Sequence, residues 1–181
     1  MAYKGKFTTF KHPEKYIGDI ENVIYRSLWE RNVMRWLDEN PNIVEWGSEE
    51  VSVMYEHPVR GGIAKYYPDF IVKQADGLVK VIEVKPKIQT HRPVNPGRQT
   101  QKYLREVMTY AVNQEKWSTA KRFCRRNGMK FEVWTEDHLK QLGILTWETD
   151  KSVLMAESKD SKKPKMKNIS FKKPNRPKRR S

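Results

Sequence analysis

Cysteine is nearly absent from this chain. Cys124 is the single thiol in 181 residues, so no internal disulfide can form and a reducing compartment is expected, inside a cell or a virion. It shares a helical stripe with Trp117 and Ala120, which reads as a small packed residue rather than a nucleophile. The four histidines, His12, His57, His91 and His138, are scattered and flank no cysteine pair, which excludes a zinc-site spacing. Long apolar runs are missing too. No window reaches the ~20 residues a bilayer span needs, and the Lys-rich N-terminus lacks the apolar core of a signal peptide. Internal repeats are also absent.

Negative charge is the other scarcity. Thirty-six Lys and Arg face 22 Asp and Glu, for a net charge of +14. Eleven of the basic residues, including Lys172, Lys173, Arg179 and Arg180, fall between Lys159 and Ser181 against the one acid Asp160. With Pro164, Pro174 and Pro177 and few apolar side chains, this segment cannot bury enough surface to offset the entropy of ordering, so a disordered arm is expected. The chain therefore divides into a domain over residues 1–150 and a basic tail over 151–181 whose expected partner is the DNA phosphate backbone. A solubilising tail or, in a eukaryotic setting, a localisation signal is the plainer reading.

Against this basic background a few acids are placed in a telling way. Lys65–Lys73 and Leu78–Lys85 are rich in Val, Ile, Tyr and Phe and read as two strands around Ala75-Asp76-Gly77, a hairpin. A two-residue Asp76-Gly77 loop would set Asp69 opposite Val84 and put Asp69 and Glu83 on different faces. A three-residue loop with Gly77 in the left-handed position of a bulge sets Asp69 opposite Glu83, with Lys85 on the same face. Two carboxylates beside one cation can hold Mg²⁺ at a phosphodiester, whereas a surface cross-strand pair contributes only a few tenths of a kcal/mol. The shared face, Tyr67, Asp69 and Ile71 against Val81, Glu83 and Lys85, is expected to point outward as a cleft floor. Pro68 inside a strand marks a place where the ladder is interrupted or its amide position faces outward.

A third carboxylate sits upstream. Trp29, Val33, Trp36 and Leu37 form an apolar stripe on a helix ending before Pro41, and Glu30 lies beside that stripe. Ser27-x-x-Glu30 is also a capping box, in which the Glu reaches back to the N-cap amide. Cap and metal-site roles both remain open for it.

The rest of the chain reads as follows. Ile43–Trp46 and Val51–Tyr55 are short strands, and Gly61-Gly62 turns the chain back. Pro86–Gly97 is a basic loop carrying Lys87 and Arg92. Arg98–Asn127 is helical, as two helices or one kinked one, with Tyr103, Leu104, Val107, Met108 and Ala111 on one stripe and a stop at Asn127-Gly128. Met129–Trp134 is a last core strand, Thr135 caps a short helix to about Leu142, and Leu145–Trp147 forms a final extended piece. The class is α/β, a mixed central sheet flanked by helices. Arg98, Gln99, Lys102 and Gln114 are weak DNA-contact candidates, since most such residues are the solvated face of a helix.

A helix with Glu30, then Pro68-Asp69 and Glu83-Val84-Lys85, resembles the PD-(D/E)XK restriction-endonuclease-like superfamily and its TnsA-like branch. Five ordered blocks sharpen the likeness: Tyr25–Arg31, Asn40–Trp46, Tyr67–Phe70, Ile82–Pro86 and Glu106–Gln114 resemble the head-completion nucleases of T-even-type tailed phages over about Lys4–Ile144. The resemblance implies an αβββαβ core and a Mg²⁺-dependent DNA endonuclease, with Mn²⁺ able to substitute. It implies Asp69, Glu83, the Val84 carbonyl and Glu30 at the metal, Lys85 at the attacking water, and a 5′-phosphate product. DNA and phage head or portal proteins are the implied partners, with no small-molecule cofactor and no membrane, and the host cytoplasm during assembly or the virion is the implied place. A non-cutting head protein and a transposition subunit are the alternatives.

Overall fold

The structure is a computed structural model and describes residues 3–145. Helix α1 (Leu28–Glu39) starts where the Ser27 side chain accepts the Glu30 N–H and ends at Asn40, before Pro41. Its stripe buries Val33, Met34 and Leu37 completely, and Trp29 and Trp36 pack partly buried against the same core. The central sheet has the order β3-β6-β7-β8: β3 (Ile43–Ser48), β6 (Phe70–Gln74), β7 (Val79–Val84) and β8 (Lys130–Trp134). The first three pair antiparallel and β8 joins β7 in parallel. The crossover between β7 and β8 is α2 (Gln101–Arg126). Together, α1, β3, β6, β7, α2 and β8 form the expected αβββαβ core.

The sheet separates two packed layers, as its period-2 alternation requires. Phe70, Val72, Ile82 and Val84 point to α1, Trp46 and Trp134. The opposite face meets α2 and an inserted hairpin, β4 (Val53–Glu56) with β5 (Ile63–Tyr66), through Val53, Tyr55, Tyr66, Trp117 and Ala120, with Phe131 and Val133 partly buried there. Glu83 pairs with Val133 in the parallel ladder and shares this second face. Helix α3 (Glu136–Gln141) closes the described chain, with His138 Nδ1 accepting the Thr135 N–H at 3.2 Å. No helix among the described residues is long and apolar enough to cross a membrane.

Several expectations are corrected. The proposed strand Lys65–Lys73 is two strands in two sheets, β5 and β6, divided at Tyr67-Pro68-Asp69. The face carrying Val81 and Glu83 is not outward: α2 and the β4-β5 hairpin cover it, and Val81 and Glu83 are buried. Helix α2 is continuous over 26 residues. Its packed stripe is Asn113, Trp117, Ala120 and Cys124, whereas the Tyr103–Ala111 stripe is not a core face, with Val107 and Met108 exposed. Among the described residues, the buried positions of α2 begin at Asn113, on the stretch that meets β4 and β8. Cys124 is buried in the packed stripe, and burial pushes its thiol up to about 11, away from nucleophilic use.

The N-terminal segment carried no structural expectation and is well packed. Strands β1 (Gly5–Lys6) and β2 (Ile24–Tyr25) pair antiparallel, and Phe7, Phe10 and Tyr16 gather around Trp46. Buried Asp38 ties this segment to α1 by accepting the Lys11 N–H at 2.6 Å and the His12 N–H at 3.2 Å. The final piece at Leu145–Trp147 and the tail, with Lys172, Lys173, Arg179 and Arg180, lie outside the described residues except for Leu145, which is buried.

Candidate nuclease site

The loop between β6 and β7 decides the site. Gln74 N–H donates to the Leu78 carbonyl at 2.9 Å, Gly77 N–H donates to Gln74, and Gly77 has φ +82°, which makes this the three-residue loop with its left-handed residue. The register then runs Lys73–Val79, Val72–Lys80, Ile71–Val81 and Phe70–Ile82. One step further sets Asp69 opposite Glu83, as the longer loop predicts.

Pro68 explains why the ladder stops there. Doubly hydrogen-bonded pairs alternate outward from Gln74–Leu78, so the position that should exchange bonds with Val84 belongs to Pro68, which has no N–H to give. Pro68 is fully buried, and the Val84 carbonyl thereby has no ladder donor from this strand. The Val84 N–H turns to the side chain next in line and donates to Asp69 Oδ2 at 2.7 Å.

Glu83 is buried, and two groups meet its carboxylate. The Tyr66 hydroxyl donates to Oε2 at 2.7 Å, and Lys85 Nζ lies 2.7 Å from Oε1. Tyr66 comes from the end of β5, so the break at Pro68 is also what brings its hydroxyl over β7. Burial, and then the Glu83 charge, push the Asp69 carboxyl well above the usual carboxylate range, with Lys85 partly offsetting them. Burial pulls Lys85 down, but Asp69 and Glu83 outweigh it and leave its ammonium more firmly protonated than an ordinary lysine. Tyr66 is pushed up by burial and by Glu83, so it remains a donor.

Another group, like Tyr66, was absent from the expected catalytic set. Lys116 of α2 holds its Nζ 5.6 Å from the Tyr55 ring and 5.2 Å from the Tyr66 ring, a cation–π seat shared by two rings. Burial pulls its ammonium down, and Glu83, Lys85 and Asp69 all act on it electrostatically. In sequence it looks like one more basic residue of an amphipathic helix, and only the packing of α2 on the hairpin singles it out.

Glu30 is engaged at the start of α1. Its Oε2 accepts the Arg26 N–H at 2.7 Å and its Oε1 the Ser27 hydroxyl at 2.9 Å. It therefore caps one residue further back than the expected N-cap amide. Its charge nevertheless reaches Asp69 and Lys85, and a chain of contacts links it to them. Arg26 grips Glu49 through Nε at 3.0 Å and Nη2 at 2.8 Å, and the Glu49 N–H donates to the Asp69 carbonyl at 3.1 Å. Glu49 is the non-glycine residue held at positive φ, +58°, a strained conformation of the kind found beside functional sites.

Among the described residues, no group of three or more His, Cys, Asp or Glu side chains is arranged to hold a metal. The available donor set is two carboxylates and a backbone carbonyl. It suits a hard cation that keeps several waters, such as Mg²⁺, better than an all-protein cage. This carboxylate pair, with Glu83 buried and Asp69 resisting ionisation, is what a divalent cation would relieve.

The expected DNA contacts are spread along one stretch of chain. Lys87 donates its N–H to Glu136 and its Nζ to Asp137, both at 2.7 Å, which ties the basic loop to α3. Arg92, Arg98 and Gln99 are exposed on the loop, and Lys102 is exposed at the start of α2 with Glu106 at 3.8 Å. Gln114 is half-buried further along α2.

An α1–sheet–α2 core with a Pro-interrupted strand presenting Asp69 to Glu83-x-Lys85 defines a nuclease of the PD-(D/E)XK class. More closely, the chain belongs to the TnsA-like endonuclease family: the family described as "TnsA-like endonuclease N terminal" matches residues 40–136, which include Asp69, Glu83 and Lys85 but not Glu30. It is also similar to the head completion nuclease of Enterobacteria phage T4, at 39% identity over 148 residues, 80% of this chain and 98% of that protein.

Proposed function

We propose that this protein cuts DNA with a divalent metal, Mg²⁺ or Mn²⁺, during completion of a phage head. The observation that carries the reading is the Phe70–Ile82 register, which continued by one residue sets Asp69 opposite Glu83, with Lys85 at 2.7 Å from Glu83. Asp69, Glu83 and the Val84 carbonyl are the groups to hold the metal, with Glu30 at a second ion or a bound water. The metal would polarise the scissile phosphate and lower the pKa of a water. Lys85, kept protonated by its two carboxylates, places its ammonium where it can orient the attacking water and offset charge growing on the phosphate. Tyr66 holds the Glu83 carboxyl aimed. Lys116 adds a second positive charge on the far side of Tyr66. Lys87, Arg92, Arg98, Gln99, Lys102 and Gln114 are proposed to guide the duplex, and the basic tail over 151–181 to tether it through Lys172, Lys173, Arg179 and Arg180.

Phage head completion is favoured over a transposition subunit because the likeness to the T4 protein spans 98% of that protein's length. The host cytoplasm and the virion are the matching locations, and head or portal proteins the matching partners. The test is plasmid nicking with Mg²⁺. Asp69→Ala, Glu83→Ala and Lys85→Ala should each abolish cutting with the fold retained, and undiminished cutting by any two of them would end the assignment.

A further inference from the structure

A cavity of about 380 Å³ lies between the N-terminal segment and α1, lined by Lys6, Thr8, Thr9, Lys11, Arg31 and Arg35 with Glu39, Phe7 and Tyr25. Its charge is unbalanced. Lys11 pairs with Glu39 at 3.0 Å, but among the described residues Lys6, Arg31 and Arg35 form no ion pair and no side-chain hydrogen bond. Arg31 Nε is buried without any acceptor. Leaving such a donor unmatched is costly, since it gives up water and gains nothing. Three unpaired cations around one concavity also repel one another. One tetrahedral oxyanion would resolve both problems: guanidinium forks and the Thr8 and Thr9 hydroxyls are the donors that phosphate recognition uses.

We propose that this cavity is a phosphate-binding site that takes a backbone phosphate of nucleic acid. The nucleic-acid source rests on the nuclease reading above and on the net charge of +14. Arg31 and Arg35 sit on the same helix as Glu30, so a phosphate gripped there is fixed rigidly relative to the cutting site. The cavity is thus a second anchor that sets how the duplex lies across the carboxylates, built from residues outside the catalytic set.

The test uses the full chain in EDTA, so that no cutting occurs, followed by nuclear magnetic resonance of the Arg31 Nε–H and of the Thr8 and Thr9 amides. Inorganic phosphate should move all three, and a short duplex should move them at much lower concentration. Lys6→Ala/Arg35→Ala alters only exposed rim residues. It should weaken both responses at least tenfold and lower the slope of log affinity against log salt by about 1, one phosphate fewer. Arg31→Met keeps the stem and should abolish the phosphate response. Shifts that are absent with both ligands, or unchanged in the rim variant, overturn the site. Shifts with phosphate but not with duplex overturn the nucleic-acid source and assign the cavity to a free phosphate or nucleotide. Because Asp69, Glu83 and Lys85 are untouched and binding is read without metal, loss of the catalytic assignment would leave these readings standing.

Discussion

Glu30 offers the sharpest separation of fold from chemistry, because one carboxylate both caps α1 and sends its charge to Asp69 and Lys85. Glu30→Gln keeps an oxygen for the Arg26 N–H and an amide that can meet the Ser27 hydroxyl, so the cap survives. Glu30→Ala removes the acceptor. Losing a capping interaction costs about 0.5–2 kcal/mol, and the exposure of Arg26, whose freed N–H can turn to water, puts this case near about 1 kcal/mol. In a chain of this length that is a fall of about 2–4 °C in Tm. Glu30→Gln should shift Tm by less than about 1 °C. If the carboxylate serves the metal, both variants lose activity alike, by about 10- to 100-fold, the range for groups that orient metal ligands. The assay pairs Mg²⁺-dependent nicking with thermal melting of the same preparations. Full nicking by Glu30→Gln would refute the catalytic role and leave Glu30 as a cap.

Other outcomes follow from the buried charges and from the tail. Asp69 has a folded-state pKa raised above its unfolded value, so its contribution to stability is complete below the ordinary carboxylate range and is lost as pH rises through the folded value. In urea melts without metal, Asp69→Asn should therefore gain stability relative to wild type across that window, and Mg²⁺ should stabilise wild type alone; parallel curves with pH would contradict the upward shift of the Asp69 carboxyl. Lys116→Ala should slow single-turnover cutting by about 100-fold, the low end for loss of a charge-stabilising donor, with Lys116→Arg partly restoring it, and an unchanged rate would make Lys116 a packing residue only. Removing residues 159–181 should flatten the salt dependence of DNA binding, since each neutralised phosphate contributes about 0.9 to the slope, while sparing cutting at saturating DNA; identical slopes would point the tail toward a protein partner.

The sequence by itself determined the local features. Ser27 and Pro41 bound α1, Asn127-Gly128 ends α2 with Gly128 at φ +68°, and Asp76-Gly77 permits only a short loop, because cap and turn chemistry acts over a few residues. It also narrowed Asp69, Glu83 and Lys85 to two registers, since strand periodicity turns loop length directly into register, and the folded loop with Gly77 at φ +82° chose between them. Tertiary structure decided the rest. Whether Lys65–Lys73 was one strand or two depended on where the β4-β5 hairpin packs, and a strand-like composition suits either sheet. The stripe from Tyr103 to Ala111 has the right spacing for a buried face, yet among the described residues its Val107 and Met108 are exposed, and periodicity cannot report which faces find a partner. Tyr66 and Lys116 join the site from elements distant in sequence, and Lys6, Arg31 and Arg35 meet in one cavity only when the N-terminal segment lies along α1. Such meetings are set by long-range packing, where the energy is apolar burial and carries no signature in the spacing of the polar residues it brings together.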